Sequence, residues 1–258
     1  MVIFLIFLIG LFIGSFLEVL ADRIPRKENV IKGRSHCEKC KKELGILDLI
    51  PVISYLFLKG KCRYCKTKLS VFYPISEIAT GLVFSLIYVF LGTQGFIWLI
   101  YYFVIAASLI VIFLTDLKYG IIPDRILFLS SFFSFLFLLF FQRNLMINHL
   151  FSASLSFSFF IAISYLFYLA TKKVSMGGGD IKLAFFLGLV LGFPGIIVCL
   201  YLAFLTGAAV SIILISWRKK SFQKDSLPFG PFLILGALIS FFFGNTIFFQ
   251  TLKILGIF

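Results

Sequence analysis

The feature that most constrains this chain is a succession of apolar runs, each close to the length that crosses a bilayer. A helical span needs about 20 apolar residues. Eight stretches qualify, roughly 2–21, 72–92, 96–115, 125–141, 149–170, 181–192, 196–216 and 230–250. The sixth is short and reads as tilted, half-buried or extended through its flanks. In hydrocarbon a segment must satisfy its own backbone polar groups, so such runs fold as helices. Composition agrees, with 61% hydrophobic residues, 14% charged residues and 36 Phe. A water-facing fold of this length would need far more polar surface.

A net charge of +13 invites a nucleic-acid reading, but its distribution points elsewhere. The loops 22–71, 116–125, 171–182 and 217–229 hold all but two of the 24 Lys and Arg, the exceptions being Arg143 and Lys253. The positive-inside rule puts these four loops in the cytoplasm and both termini outside. The basic excess therefore reports topology and contact with an anionic lipid bilayer, and no nucleic-acid partner is needed. The first run has no basic n-region and is followed by Asp22-Arg23-Ile24-Pro25-Arg26-Lys27. It reads as a retained span, not a cleaved leader.

The one sizeable polar stretch lies between the first two runs. It carries Cys37-Glu38-Lys39-Cys40 and then Cys62-Arg63-Tyr64-Cys65. Two such knuckles read as a four-thiolate zinc site. Disulfides are the alternative, but a cytoplasmic loop sits in a reducing compartment. A segment this short has no core of its own, so a bound ion would supply folding free energy. Four thiolates leave no open position, and the Zn2+ is expected to be structural. His36 reads as a bystander. Between the knuckles, Ile50-Pro51-Val52-Ile53-Ser54-Tyr55-Leu56-Phe57-Leu58-Lys59-Gly60 is amphipathic enough to lie on the membrane surface or against the helices. Packing within the cysteine domain fits it equally well.

Carboxylates are scarce in the apolar part, and two of them stand at its edges. In Met176-Gly177-Gly178-Gly179-Asp180-Ile181-Lys182-Leu183 three glycines run into Asp180 at the start of an apolar helix. Glycine permits positive φ and the close approach of another backbone. N-capping would account for Asp180, but a cap needs none of the glycines. Asp116 likewise ends the third apolar run. Two such residues suggest a carboxylate pair sharing one proton, the ionised member taking a proton from water while the other polarises a carbonyl. Glu18 and Glu77 lie inside apolar runs, where an acid is by default a functional candidate. Pairing of Glu18 with Arg23, and helix-start stabilisation by Glu77, fit these two as well. Asp124 reads as the cap of the fourth run, and His149 and Cys199 as packing or interface residues. The backbone around Pro228, Gly230 and Pro231 is expected to be irregular at membrane level, which holds only where protein or water satisfies it.

Taken in order, these residues resemble the bacterial prepilin peptidases, the polytopic membrane aspartic proteases that process type IV prepilins and type II secretion pseudopilins. The resemblance is carried by Gly14-Ser15-Phe16-Leu17, Arg34-Ser35, both cysteine knuckles, and Tyr73-Pro74 with Glu77. It continues through Asp116 to Ile122-Pro123-Asp124, the G-x-G-D signature as Gly177-Gly178-Gly179-Asp180 with Lys182, and Pro228-Phe229-Gly230-Pro231. It implies Asp116 and Asp180 as the catalytic pair, with Gly177, Gly178, Gly179, Lys182, Glu77 and Glu18 in support. It also implies cleavage of a basic leader after Gly at the cytoplasmic face, from prepilin or pseudopilin substrates that continue as an apolar helix. Methylation of the new N-terminus with S-adenosylmethionine is part of the same resemblance. The chain departs from the family in having Glu18 where Asn is usual and Glu38 where Pro is common. No glycine-loop cofactor motif follows a strand, so the methyl-donor site is left unassigned.

The expected fold class is an all-α polytopic membrane protein of about eight transmembrane helices with a small cytoplasmic zinc-binding loop domain. Its parts are a first transmembrane helix at 1–21, the four-Cys domain at 22–71, and a membrane catalytic core of about seven helices at 72–258, set in the bacterial cytoplasmic (inner) membrane. A peptidase without methyltransferase activity is the first alternative. An ion-coupled transporter would need acids near mid-bilayer and a hydropathy repeat, and a non-catalytic zinc-ribbon membrane adaptor would use the glycines only as a hinge.

Overall fold

The computed structural model describes residues 1–30, 33–172, 177–217 and 228–254. Met176, Leu227 and the basic residues Arg218, Lys219 and Lys220 lie outside them. Among the described residues the helices in chain order are α1 (Val2–Arg23), the short α2 (Ile53–Phe57), α3 (Phe72–Leu91), α4 (Phe96–Tyr119), α5 (Asp124–Phe141), α6 (Met146–Thr171), α7 (Gly178–Leu191), α8 (Gly195–Ser216) and α9 (Gly230–Ile254). No strand forms among these residues. The only ladder-like pairings are the isolated bridges His36–Glu43 and Lys61–Lys68.

Among the described residues seven helices are long and apolar enough to cross a membrane, not the eight expected from the apolar runs. The exception is α7, whose 14 residues extend about 21 Å at 1.5 Å per residue, short of a hydrocarbon core of about 30 Å. Its interior residues Leu183, Ala184, Phe186 and Leu187 are fully buried. The sixth apolar run is thus apolar because protein encloses it, which hydropathy alone cannot distinguish from enclosure by lipid.

The chain divides into two compact units, Met1–Thr115 and Asp116–Phe258. In the first, α1 and α3 cross at backbone contact. A Cβ at Gly10 would lie 2.6 Å from the Gly81 Cα, and one at Gly14 would lie 2.9 Å from the Glu77 Cα. Gly10 and Gly14 form the small-x-x-x-small spacing that permits such crossings in membranes. The crossing brings Glu18, 2% exposed, to Ser76, whose hydroxyl donates to its carboxylate at 2.6 Å. Arg23 donates to the carbonyls of Asn29, Gly33 and Arg34, which folds the chain back at the end of α1.

In the second unit α7 is the central element. Gly188 lets α7 meet α6 closely, since a Cβ there would sit 2.6 Å from the Ala153 Cα. The Ser156 hydroxyl donates to the Ala184 carbonyl at 2.9 Å. At the far end of α7 the His149 ring nitrogen meets the Leu189 carbonyl at 2.8 Å, and Asn148 brackets the backbone of Phe193. His149, expected to be a packing or interface residue, is a hydrogen-bonded tether that occupies a helix-end carbonyl. Cys199 is fully buried, as a small apolar residue would be.

Candidate active site and metal centre

The four cysteines of the first unit come together. Their sulfurs all lie within 4.8 Å of one another, and Cys37 Sγ to Cys65 Sγ is 3.8 Å. Tetrahedral coordination with Zn–S bonds of about 2.3 Å has S···S edges of about 3.8 Å, so the cluster could hold a metal ion of this kind. Each knuckle is built by the same backbone device. The Cys37 amide donates to the Lys42 carbonyl and the Lys41 amide to the Cys37 carbonyl, while the Cys62 amide donates to Thr67 and the Lys66 amide to Cys62. Lys41 and Lys66 both take positive φ at the tight point of the turn. The signal for this duplication is in the sequence, where Cys-x-x-Cys-Lys-x-x-Leu recurs at 37–44 and 62–69. Reading the cysteine pairs alone misses it.

The thiols do not titrate alike. Hydrogen bonds from Thr67 hold Cys65 down at about 6. Cys40, despite a backbone hydrogen bond from Lys42, is pushed up to about 11 by desolvation and by its neighbours Cys37 and Cys65. Clustered thiolates repel, and a divalent cation removes that conflict. Around them, Arg26 pairs with Glu38 at 2.7 Å and Arg63 with Asp48 at 2.6 Å. Glu38, which departs from the family pattern, thus ties the linker after α1 to the first knuckle. Glu77 accepts the backbone amide of Val52 at 2.7 Å, so it anchors the inter-knuckle segment. A cavity of about 460 Å³ opens between the knuckles, the C-terminal end of α1 and the N-terminal end of α3, with Glu18, Asp22, Tyr73 and Glu77 on its wall.

The two aspartates belong to the second unit, and three chain segments assemble around them. Asp116 occupies the last turn of α4, which stops where Gly120 takes φ +64 and its amide returns to the Asp116 carbonyl at 2.8 Å. Its side chain is 4% exposed, and Oδ2 has no hydrogen-bond partner. Gly230, the first residue of α9, donates its amide to the Asp116 carboxylate. A Cβ at 230 would collide with Oδ2. Phe229 fixes that approach, its ring centred 5.2 Å from that of Phe204 and 6.1 Å from that of Phe160. The irregular proline–glycine entrance of α9 is therefore the backing of Asp116.

Asp180 does not act as the cap of α7. Gly177 holds the N-cap position and Asp180 is third in the helix, its carboxylate accepting the Gly177 amide. Its half-exposed side chain is close enough to Asp116 for that residue's charge to bear on it. None of Gly177, Gly178 and Gly179 has positive φ, contrary to one reason for expecting glycine there. Close approach is the reason that survives. A Cβ at Gly179 would sit 3.0 Å from the Ile122 Cβ, whereas one at Gly178 would meet nothing within 4 Å. Ile122 also reaches Gly230, at 3.4 Å from a Cβ there, and so packs against both glycine-bearing segments. Asp124 is not a cap either, since Pro123 takes that position. It pairs instead with Lys182 at 2.7 Å, joining the starts of α5 and α7.

Residues 8–91 match the Bacterial Peptidase A24 N-terminal domain, and residues 103–212 match the Type IV leader peptidase family. The chain is 30% identical over 250 residues to a prepilin leader peptidase/N-methyltransferase of Bacillus subtilis (strain 168), covering 94% of this chain and 95% of that one. The chain belongs to the type IV leader peptidase family. Further relatives with that same name come from Burkholderia pseudomallei (strain 1026b), 28% identical over 92% of this chain and 84% of theirs, and from Neisseria gonorrhoeae, 28% identical over 90% and 87%. No solved structure matches the chain. Membership of this leader peptidase family makes the chain a protease, and its seven apolar helices make it a multi-pass membrane protein.

Proposed function

We propose that this chain is an aspartic endopeptidase that removes the basic leader of type IV prepilins or type II pseudopilins at the cytoplasmic face of the inner membrane. The observation that carries the proposal is the buried Asp116 carboxylate with one oxygen unpartnered, close enough for its charge to bear on a half-exposed Asp180. A buried unpartnered carboxylate oxygen is costly in a purely structural residue. Asp116 and Asp180 share one proton; the ionised member takes a proton from water and the protonated member polarises the scissile carbonyl. The Gly230 amide orients the Asp116 carboxylate and leaves Oδ2 open. Open space at Gly178 leaves room for an extended substrate backbone, with a small residue at the cut. Both termini lie outside, as the Lys and Arg distribution of the loops argues.

We assign the methyl transfer in the relatives' names to the cavity of the first unit. Its volume lies in the usual range for small-molecule sites, about 300–1,000 Å³. S-adenosylmethionine, when bound, supplies a methyl group from a cationic sulfonium. Glu18, Asp22 and Glu77 give the wall acidic groups suited to a cation and to an N-terminal ammonium, and Tyr73 adds an aromatic face. Cys37, Cys40, Cys62 and Cys65 would hold a structural Zn2+ that orders the cavity's outer wall.

The deciding experiment incubates the purified protein with a prepilin-like peptide of basic leader, Gly and apolar helix, with and without S-adenosylmethionine. Mass spectrometry should show cleavage after Gly in both cases and a methyl increment only with the donor. An uncut peptide would overturn the peptidase reading, and a cut but unmethylated one would overturn the assignment of the first cavity.

A further inference from the structure

The segment between the knuckles is the least satisfied apolar surface of the cysteine-bearing stretch. Ile53, Leu56 and Phe57 stand at i, i+3 and i+4 and so share one face of α2. They are 51%, 67% and 84% exposed. In the neighbouring turn Ile46 and Leu47 are 87% and 67% exposed. Pro51, Tyr55 and Leu58 turn toward the cysteine-bearing loop, the Tyr55 hydroxyl reaching the Leu69 carbonyl at 3.4 Å, whereas Ile53, Leu56 and Phe57 do not pack there. Cations surround the segment, with Lys39, Lys41, Lys42, Lys59, Lys61 and Lys66 all exposed.

One hydrogen bond ties this segment to α3. Glu77 lies five residues into α3, about 7.5 Å along the helix axis at 1.5 Å per residue, and accepts the Val52 amide at 2.7 Å. Val52 is held at φ 60 and ψ −49, and the Ile53 amide turns back to the Pro51 carbonyl. A β-branched residue at positive φ is strained and persists only where its surroundings over-determine it. The Glu77 contact supplies that constraint. Because α2 begins at the next residue, its start is held within one glutamate side chain of the second turn of α3.

We propose that residues 46–58 dock on the anionic surface of the bilayer that this chain itself spans, with Ile53, Leu56 and Phe57 inserted among the lipids and the flanking lysines on the headgroups. Apolar insertion combined with lysine–headgroup attraction is how interfacial helices bind. The cysteine stretch is tethered at both ends to spanning helices, so the bilayer surface is always within reach. Docking would hold the metal knuckles and the adjoining cavity against the membrane, where an emerging apolar substrate helix must pass.

The test uses the full-length protein with Phe57→Trp and with Trp98 and Trp217 replaced by Phe, in bilayers containing anionic lipid. The indole introduced by Phe57→Trp is then the sole tryptophan fluorophore. Bromines placed about 5–10 Å below the headgroups, the depth of interfacial helices, should quench it strongly in the absence of substrate. Bromines near the bilayer centre, about 15 Å deep, should quench it weakly. Unchanged metal content shows that the variant is folded. Glu77→Gln should weaken the shallow quenching. An indole that no bromine quenches, yet whose emission shifts when an apolar-helix peptide is added, would overturn the proposal and give this face to the substrate.

Discussion

The cysteine cluster and the aspartate site are both clusters of four or fewer reactive side chains, yet they are made in opposite ways. The cysteine centre is assembled from two copies of one short turn, and hydrogen bonds within each turn set its sulfurs. The aspartate site takes one residue from the end of α4, one from the start of α7, and its backing from the start of α9. The first could hold an ion that ties its halves together. The second is held by helix packing and leaves a buried carboxylate oxygen without a partner. We read the site whose groups occupy one another as structural, and the one with a costly unpaired oxygen as the proposed reacting pair.

That contrast breaks most sharply at the aspartates. Asp116→Asn and Asp180→Asn should each lower peptide cleavage by about 10²–10⁴-fold, the usual contribution of a general acid or base, while elemental analysis finds the metal content unchanged. Wild-type cleavage in either variant would remove that residue from the dyad. Gly230→Ala should come next, because its methyl collides with Asp116 Oδ2. Displacing a catalytic group by about 1 Å costs about 10²-fold. A near-normal rate for Gly230→Ala would mean that α9 does not position Asp116.

The converse test removes a sulfur. Cys62→Ser should release the ion and loosen the first unit, read as lost metal and faster proteolysis of residues 22–71. Cleavage should fall less than in Gly230→Ala. Ion-free protein with undiminished protease resistance would show that the knuckles order themselves without metal. Cys199→Ser should leave the metal content unchanged, since that thiol is buried in the other unit. The smallest effect is expected at Asp124→Asn. Its pair with Lys182 is exposed on both sides, and such pairs contribute about 0–1 kcal/mol. Cleavage should stay within about fivefold of wild type by that figure; a loss as deep as at Asp116 would mean the dyad is misassigned.

Much of this was legible in the residues themselves because it rests on local geometry. Apolar runs of spanning length must be helical whatever surrounds them. Two Cys-x-x-Cys turns present four sulfurs from a few consecutive residues each. Asp116 and Asp180 stand out because a carboxylate at the edge of an apolar run is expensive. The tertiary structure alone decided that α7 is a short enclosed helix, because apolarity does not say whether lipid or protein supplies the neighbours. It also decided that Glu77 holds Val52, that Glu18 takes the Ser76 hydroxyl, that Asp124 pairs with Lys182 and that Gly230 backs Asp116. Each of these contacts joins residues far apart in the chain. Their meeting depends on where small residues let helices cross at backbone contact, and that is a property of packing between segments, not of any one segment.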